Sequence, residues 1–152
     1  MIEPQYDRTE EEEIANLRKD VRYYNQDVLV RRDMYWRDNV DIPYYLWQVL
    51  YSNSDLLKYY ITYFNNGRKF KERFYDNHGV CTFTICYTDN ELNSVNLKEY
   101  FDNEGGLISW RNYYENGVIN CECVIYRIGD GISHIKTIYP DGRIEYTGDI
   151  PD

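Results

Sequence analysis

From about residue 61 onward, short runs rich in Val, Ile, Tyr, Phe, Cys and Thr alternate apolar with polar positions, and each run stops at a cluster of Asp, Asn and Gly. In Val80–Tyr87 one side carries Cys81, Phe83, Ile85 and Tyr87, and the other carries Val80, Thr82, Thr84 and Cys86. In Val118–Tyr126 the two sides are Ile119, Cys121, Cys123 and Ile125, against Val118, Asn120, Glu122, Val124 and Tyr126. A period of two is that of a strand with one better-buried face. The second side is mixed, so either both faces are partly covered or the sheet is a single layer.

The punctuation repeats. Phe74, Tyr87, Tyr100, Tyr113, Tyr126 and Tyr139 recur at a constant spacing of thirteen. Two positions on stand Asp76, Asp89, Asp102, Glu115, Ile128 and Asp141, followed by Asn77, Asn90, Asn103, Asn116, Gly129 and Gly142. Tyr63–Gly67 is a further copy, offset by eleven instead of thirteen. Asp, Asn and Gly accept left-handed backbone and close tight turns. About seven or eight residues between turns suit one strand. Turns this short join antiparallel neighbours, because parallel strands need a long crossover. The pattern predicts an up-and-down β-meander, with an aromatic where each strand enters its turn.

The N-terminal part of the chain, up to about residue 60, differs. In "TEEEEIANLRKD", Thr9 and Glu12 form a capping box, acidic residues crowd the first turn, and Ile14, Leu17 and Val21 make a narrow apolar stripe. This predicts a helix at about residues 10–24. Two strands follow, "DVLVRRDMYW" and "YYLWQVLYS", divided by the turn-forming "RDNVDIP", and Leu56–Phe64 begins the regular meander. The expected fold is mainly β: one domain over residues 1–152, an N-terminal helix, and a meander over 27–152 in a single extended or curved antiparallel sheet. About seven to nine strands are expected, with the better face of the sheet meeting the N-terminal elements.

Composition sharpens this picture. The chain has 18 Tyr, 5 Phe and 3 Trp against one Ala, which favours a pleated, half-wet surface over helices. A net charge of −9 argues against nucleic acid and anionic membrane as partners. No apolar run approaches the roughly 20 residues of a membrane helix, and the acidic start lacks the apolar core of a secretion signal. The expected location is the cytoplasm.

Candidate chemistry is sparse. Cys121 and Cys123, with Cys81 and Cys86, supply four thiols, but neither spacing is that of a zinc knuckle. In a meander, two strands separate the pairs, which places them about 14 Å apart. His78 is read as a turn residue and His134 as a surface residue of a strand, with no nucleophile motif beside either. The "DNEG" and "DNHG" clusters lack a calcium-loop pattern, and no phosphate-binding glycine loop is present. A hydrolase using His78 or His134 with a cysteine is the third-ranked reading. The chain is read as non-enzymatic, without metal or cofactor. The remaining signal is the aromatic surface: Trp110, Tyr113, Tyr100, Tyr126, Trp47 and Trp36 are the candidate binding residues. Cross-strand aromatic pairing competes with that reading, and for most tyrosines it is the simpler explanation.

The phrases "YFDNEGGLISWRNYYENG" and "DIPYYLWQVLYSN" resemble the add-on β-meander domain of bacterial accessory-secretion glycosyltransferases, over about Tyr35 to Tyr139. That resemblance implies acceptor-protein binding and subunit contact, with a Ser/Thr-rich acceptor or a glycosyltransferase subunit as partner. The chain has no Rossmann-like portion and hence no sugar-nucleotide site. "YYENG" is also similar to MORN-like and YwqK-type repeat proteins, although their Gly-x-Trp elements are missing. That second resemblance implies a small antitoxin or immunity protein neutralising a basic partner. Open meander edges also invite homo-oligomers.

Overall fold

A computed structural model of the chain describes residues 4–14, 18–36, 45–51, 56–64 and 66–148, with backbone alone for residues 36 and 45–51. It contains twelve strands: β1 (Arg8–Ile14), β2 (Arg18–Asn25), β3 (Val28–Trp36), β4 (Tyr45–Tyr51), β5 (Leu57–Tyr63), β6 (Lys69–Tyr75), β7 (Cys81–Tyr87), β8 (Val95–Phe101), β9 (Leu107–Tyr113), β10 (Ile119–Ile128), β11 (Gly131–Ile138) and β12 (Ile144–Gly148). They form one sheet in chain order. Each strand pairs antiparallel with its sequence neighbours, from the β1–β2 pair to the β11–β12 pair. The meander is as the sequence implies, but the described residues form twelve strands instead of seven to nine. Among the described residues, strand-to-strand contacts join sequence neighbours. Among the described residues nothing folds back over the sheet, so the N-terminal elements extend it instead of covering a face.

The helix expected at about residues 10–24 is not formed. Residues 8–14 and 18–25 are the first hairpin instead. Thr9 and Glu12, read as a capping box, lie opposite Tyr23 and Asp20. The acidic run is complemented across strands: Glu11 meets Lys19 at 3.1 Å and Glu12 meets Arg22 at 2.9 Å, while the Arg8 guanidinium lies 4.3 Å from the Tyr24 ring centre. A short amphipathic helix gains most of its stability from burying its stripe against other structure. A one-layer sheet offers no such surface, and the alternation of Val21 and Tyr23 with polar neighbours favours a strand. The turn at 37–44, including Pro43, lies outside the described residues.

Five turns share one geometry. In Phe64–Arg68, Asp76–Val80, Asp102–Gly106, Tyr114–Val118 and Tyr139–Arg143, the first residue's N–H donates to the fifth residue's carbonyl, and the fourth residue, always Gly, donates back to the first. Those glycines have φ between +77° and +87°, the left-handed backbone that only Gly adopts without strain. Asp76 Oδ1 accepts the His78 and Val80 amides at 2.8 and 3.0 Å, and Asp102 Oδ1 accepts those of Glu104 and Gly106 at 2.9 and 2.8 Å.

The regular period resolves into unequal steps. The aromatics that end successive strands are Tyr63, Tyr75, Tyr87, Phe101 and Tyr113. Their spacing is constant except from Tyr87 to Phe101, where it lengthens by two positions. The long step is the loop after β7. That loop stitches neighbouring turns together: Asn93 exchanges hydrogen bonds with the Lys69 backbone at 2.8 and 3.0 Å, and Ser94 Oγ donates to the Glu115 carbonyl at 2.6 Å.

Each hairpin from β4–β5 to β10–β11 carries a register shift near its turn. One extra residue on one strand bends it and re-aims the side chains beyond. This corrects the expected alternation in β7. Phe74 pairs with Phe83 but Tyr75 pairs with Cys81, so Thr82 is the extra residue and Cys81 joins the face of Tyr75 and Arg73.

Candidate functional site

Register assigns each side chain to one of two faces. One face carries a ladder of rings across β5 to β8: Tyr59–Phe74, Phe74–Phe83 and Phe83–Tyr100, with centroids 5.2, 5.4 and 5.0 Å apart. Ile61 and Glu72 lie beside it, both buried. The Tyr59 hydroxyl donates to Glu72 Oε2 at 2.6 Å, the Tyr87 hydroxyl donates to Oε1, and Lys69 Nζ approaches Oε1 at 3.2 Å. Burial pushes the Glu72 carboxyl upward, but the two hydroxyls and the ammonium outweigh it, and the group sits below its usual range. Burial and the Glu72 charge hold both tyrosines well above theirs. This is a satisfied buried acid, locked to its own sheet.

The expected binding residues separate. Tyr100, Tyr113 and Tyr126 share the ladder face, while Trp110 lies on the other, opposite Glu99 and Cys123. The three tyrosines are engaged within the sheet. Arg111 lies 5.6 Å from the Tyr100 ring, Lys98 lies 5.5 Å from the Tyr113 ring, and Tyr126 stacks on His134 at 4.5 Å. Trp36 ends β3 opposite Arg18, and Trp47 in β4 pairs with Met34 and Thr62; the side chains of both lie outside the described residues. The sheet therefore does not gather these six residues into one surface.

His78 is a turn residue, as expected. His134 is buried instead of lying on the surface, with Nδ1 3.1 Å from Ser133 Oγ. Among the described residues no carboxylate hydrogen-bonds its ring, so this pair lacks the third member of a catalytic triad. Two strands separate the cysteines of β7 from those of β10, as the meander requires. Among the described residues no cluster of three metal-ligating side chains forms, and no helix is long and apolar enough to cross a membrane.

A concave feature lies on the second face. Leu57, Tyr60, Thr62, Phe70, Arg73 and Tyr75 line an open groove of about 410 Å³ over β5 and β6. Phe70 is the extra residue where Tyr63 pairs with Lys69 and Thr62 with Lys71, and the residue is 47% exposed. The Arg73 guanidinium lies 5.4 Å from the Tyr60 ring centre, and among the described residues no carboxylate pairs with it. Next to the groove, Lys71 and Thr84 both bind Glu99, at 3.2 and 2.8 Å. The groove thus offers apolar rings and one cation that no carboxylate among the described residues neutralises. Sequence reasoning missed it, although a signal was present: the repeat copy at Tyr63–Gly67 falls out of step with the regular period, and it closes this hairpin. No family model matches the chain, and no curated protein matches it either.

Proposed function

We propose that the chain is a non-catalytic recognition module that lays an extended segment of a partner protein across the groove of β5 and β6. The groove supports this reading more than any other feature, because it holds the exposed Phe70 and a guanidinium that no carboxylate among the described residues pairs with. Rings and Arg are the side chains that most often anchor protein interfaces. A Ser/Thr-rich acceptor in a bacterial protein-glycosylation system is the partner proposed, held by packing on Phe70 and Tyr75 and by hydrogen bonds to Arg73 and Thr62.

Titration calorimetry with Ser/Thr-rich acceptor peptides, bare and glycosylated, tests it. Phe70→Ser and Arg73→Ala should each weaken binding by about tenfold or more, the loss of one good contact. Trp110→Ala, three strands away, should leave it unchanged. Equal loss in all three variants, or in none, rejects the groove.

A second reading rests on β1, where Glu10, Glu11, Glu12 and Glu13 all lie exposed on an edge strand. An acidic edge of this kind suits an immunity protein that masks a basic partner. That reading expects binding to fall steeply with salt and to be lost in Glu11→Lys/Glu13→Lys, with the groove variants unaffected.

A further inference from the structure

An open sheet has two edges, and here they differ. β1 is blunted: its seven residues are exposed and include four successive glutamates. Two β1 strands side by side would oppose acid with acid. β12 has no such protection. Ile144, Glu145, Tyr146, Thr147 and Gly148 are all exposed, and Ile144 and Tyr146 are 46% and 45% accessible. Its one acid, Glu145, already accepts from the Tyr139 hydroxyl at 2.9 Å and has Arg143 at 3.9 Å. Among the described residues no strand lies outside it. Native sheets normally protect such an edge with charge, proline or a covering segment.

The ring row leading to this edge is also unfinished. Tyr126 stacks on His134 at 4.5 Å, and His134 lies 5.9 Å from Tyr146, so three rings step across β10, β11 and β12 and stop at the boundary. In β5 to β8 an equivalent row runs on through four strands.

We infer that β12 pairs with β12 of a second copy, antiparallel and centred on Tyr146, so that one sheet runs through both molecules. The two-fold arrangement places Tyr146 beside its symmetry mate, Ile144 opposite Gly148, and Glu145 opposite Thr147. A register centred on Glu145 would set like charges face to face and is disfavoured. Pairing β12 with β1 instead would propagate without closing, whereas β12 on β12 closes as a dimer. The ring row would then run Tyr126–His134–Tyr146 in one copy and continue in reverse order in the other. The inference is independent of the groove, which lies six strands away.

Light scattering coupled to size exclusion, from low micromolar to millimolar chain, tests this. The wild type should shift from monomer to dimer as concentration rises and should not grow further. Tyr146→Lys and Tyr146→Glu, each on an exposed side chain and checked for unchanged circular dichroism, should weaken self-association by about tenfold or more. An equimolar mixture of the two should restore the dimer, because the paired positions then carry opposite charges. Glu13→Lys on β1 should change nothing. A wild type that stays monomeric throughout, open-ended growth, or a mixture no more associated than either variant alone overturns the inference.

Discussion

Two regions of this sheet differ in what they bury most deeply. In β2 and β3 the most deeply buried side chains are charged, Asp20 and Asp33, with Val21 and Val30 buried beside them. Asp20 is held by Arg18 and by Arg32, whose Nε lies at 3.2 Å, with Arg22 at 3.6 Å. Asp33, on the other face, takes both Nε and Nη2 of Arg31 at 2.8 and 2.7 Å and the Tyr23 hydroxyl at 3.3 Å. In β5 to β8 the buried side chains are Tyr59 and Ile61, at the head of a half-buried row of rings, with Thr62, Thr84 and one acid, Glu72, satisfied by two tyrosine hydroxyls and a lysine. The difference shows what a single layer can do. With no second layer among the described residues to pack against, a side chain is covered by its neighbours in the sheet. Long arginines cover an aspartate as well as one ring covers the next.

The two halves should therefore fail differently. The largest effect is expected for Asp20→Asn, which leaves the arginines around it without their counter-charge. A loss of about 3 kcal/mol in urea unfolding is expected, at the low end for a buried ion pair because the arginines are partly wet. The pH dependence should follow. The Arg18 and Arg32 guanidiniums outweigh burial and hold the Asp20 carboxyl at about 2. Its folded value lies below its unfolded value near 4, so its contribution is complete above about pH 4 and is lost as pH falls toward 2. Wild type should lose about 2 kcal/mol across that window through this group, and Asp20→Asn should not.

Next in size is Phe83→Ala, which removes the ring between Phe74 and Tyr100. About 2 kcal/mol is expected, less than for a fully enclosed Phe because this ring is half-buried. Unlike Asp20→Asn, its effect should not change between pH 4 and 2. A pH-dependent loss at Phe83 would blur the distinction between the two regions.

Tyr87→Phe should cost about 1 kcal/mol by removing one of the two hydroxyls on Glu72. The smallest change is Gly117→Ala. The glycine's φ is +82° and a Cβ there would meet nothing within 4 Å, so backbone conformation alone should cost about 1 kcal/mol or less.

The meander was legible because its turns are spelled out: Asn-Asn-Gly, Asp-Asn-His-Gly and Glu-Asn-Gly leave little else for the backbone to do. The strands at "DVLVRRDMYW" and "YYLWQVLYS" were legible for the same reason, as alternating or aromatic runs between turn signals. The first hairpin was not. Four glutamates before an Ile–Leu–Val stripe satisfy the local rules of a helix start, and only the partner strand, with Lys19 and Arg22 in register, makes them a strand. Local propensity cannot see that partner. The groove was hidden by the bulges, since one extra residue at Phe70 turns a ring that simple alternation would send to the opposite face. The tyrosines singled out for binding were visible as residues, but their partners Lys98, Arg111 and His134 become neighbours only once the register is known.

The central claim is one open layer, with nothing among the described residues covering it and its ends apart. The distance between site-specific spin labels on Glu11 in β1 and Glu145 in β12, measured on dilute monomer, tests it most directly. Eleven steps of about 4.8 Å, shortened by twist, should put the labels more than about 30 Å apart. A distance below about 15 Å would mean that the sheet closes on itself or folds into two layers, and would contradict a single open layer.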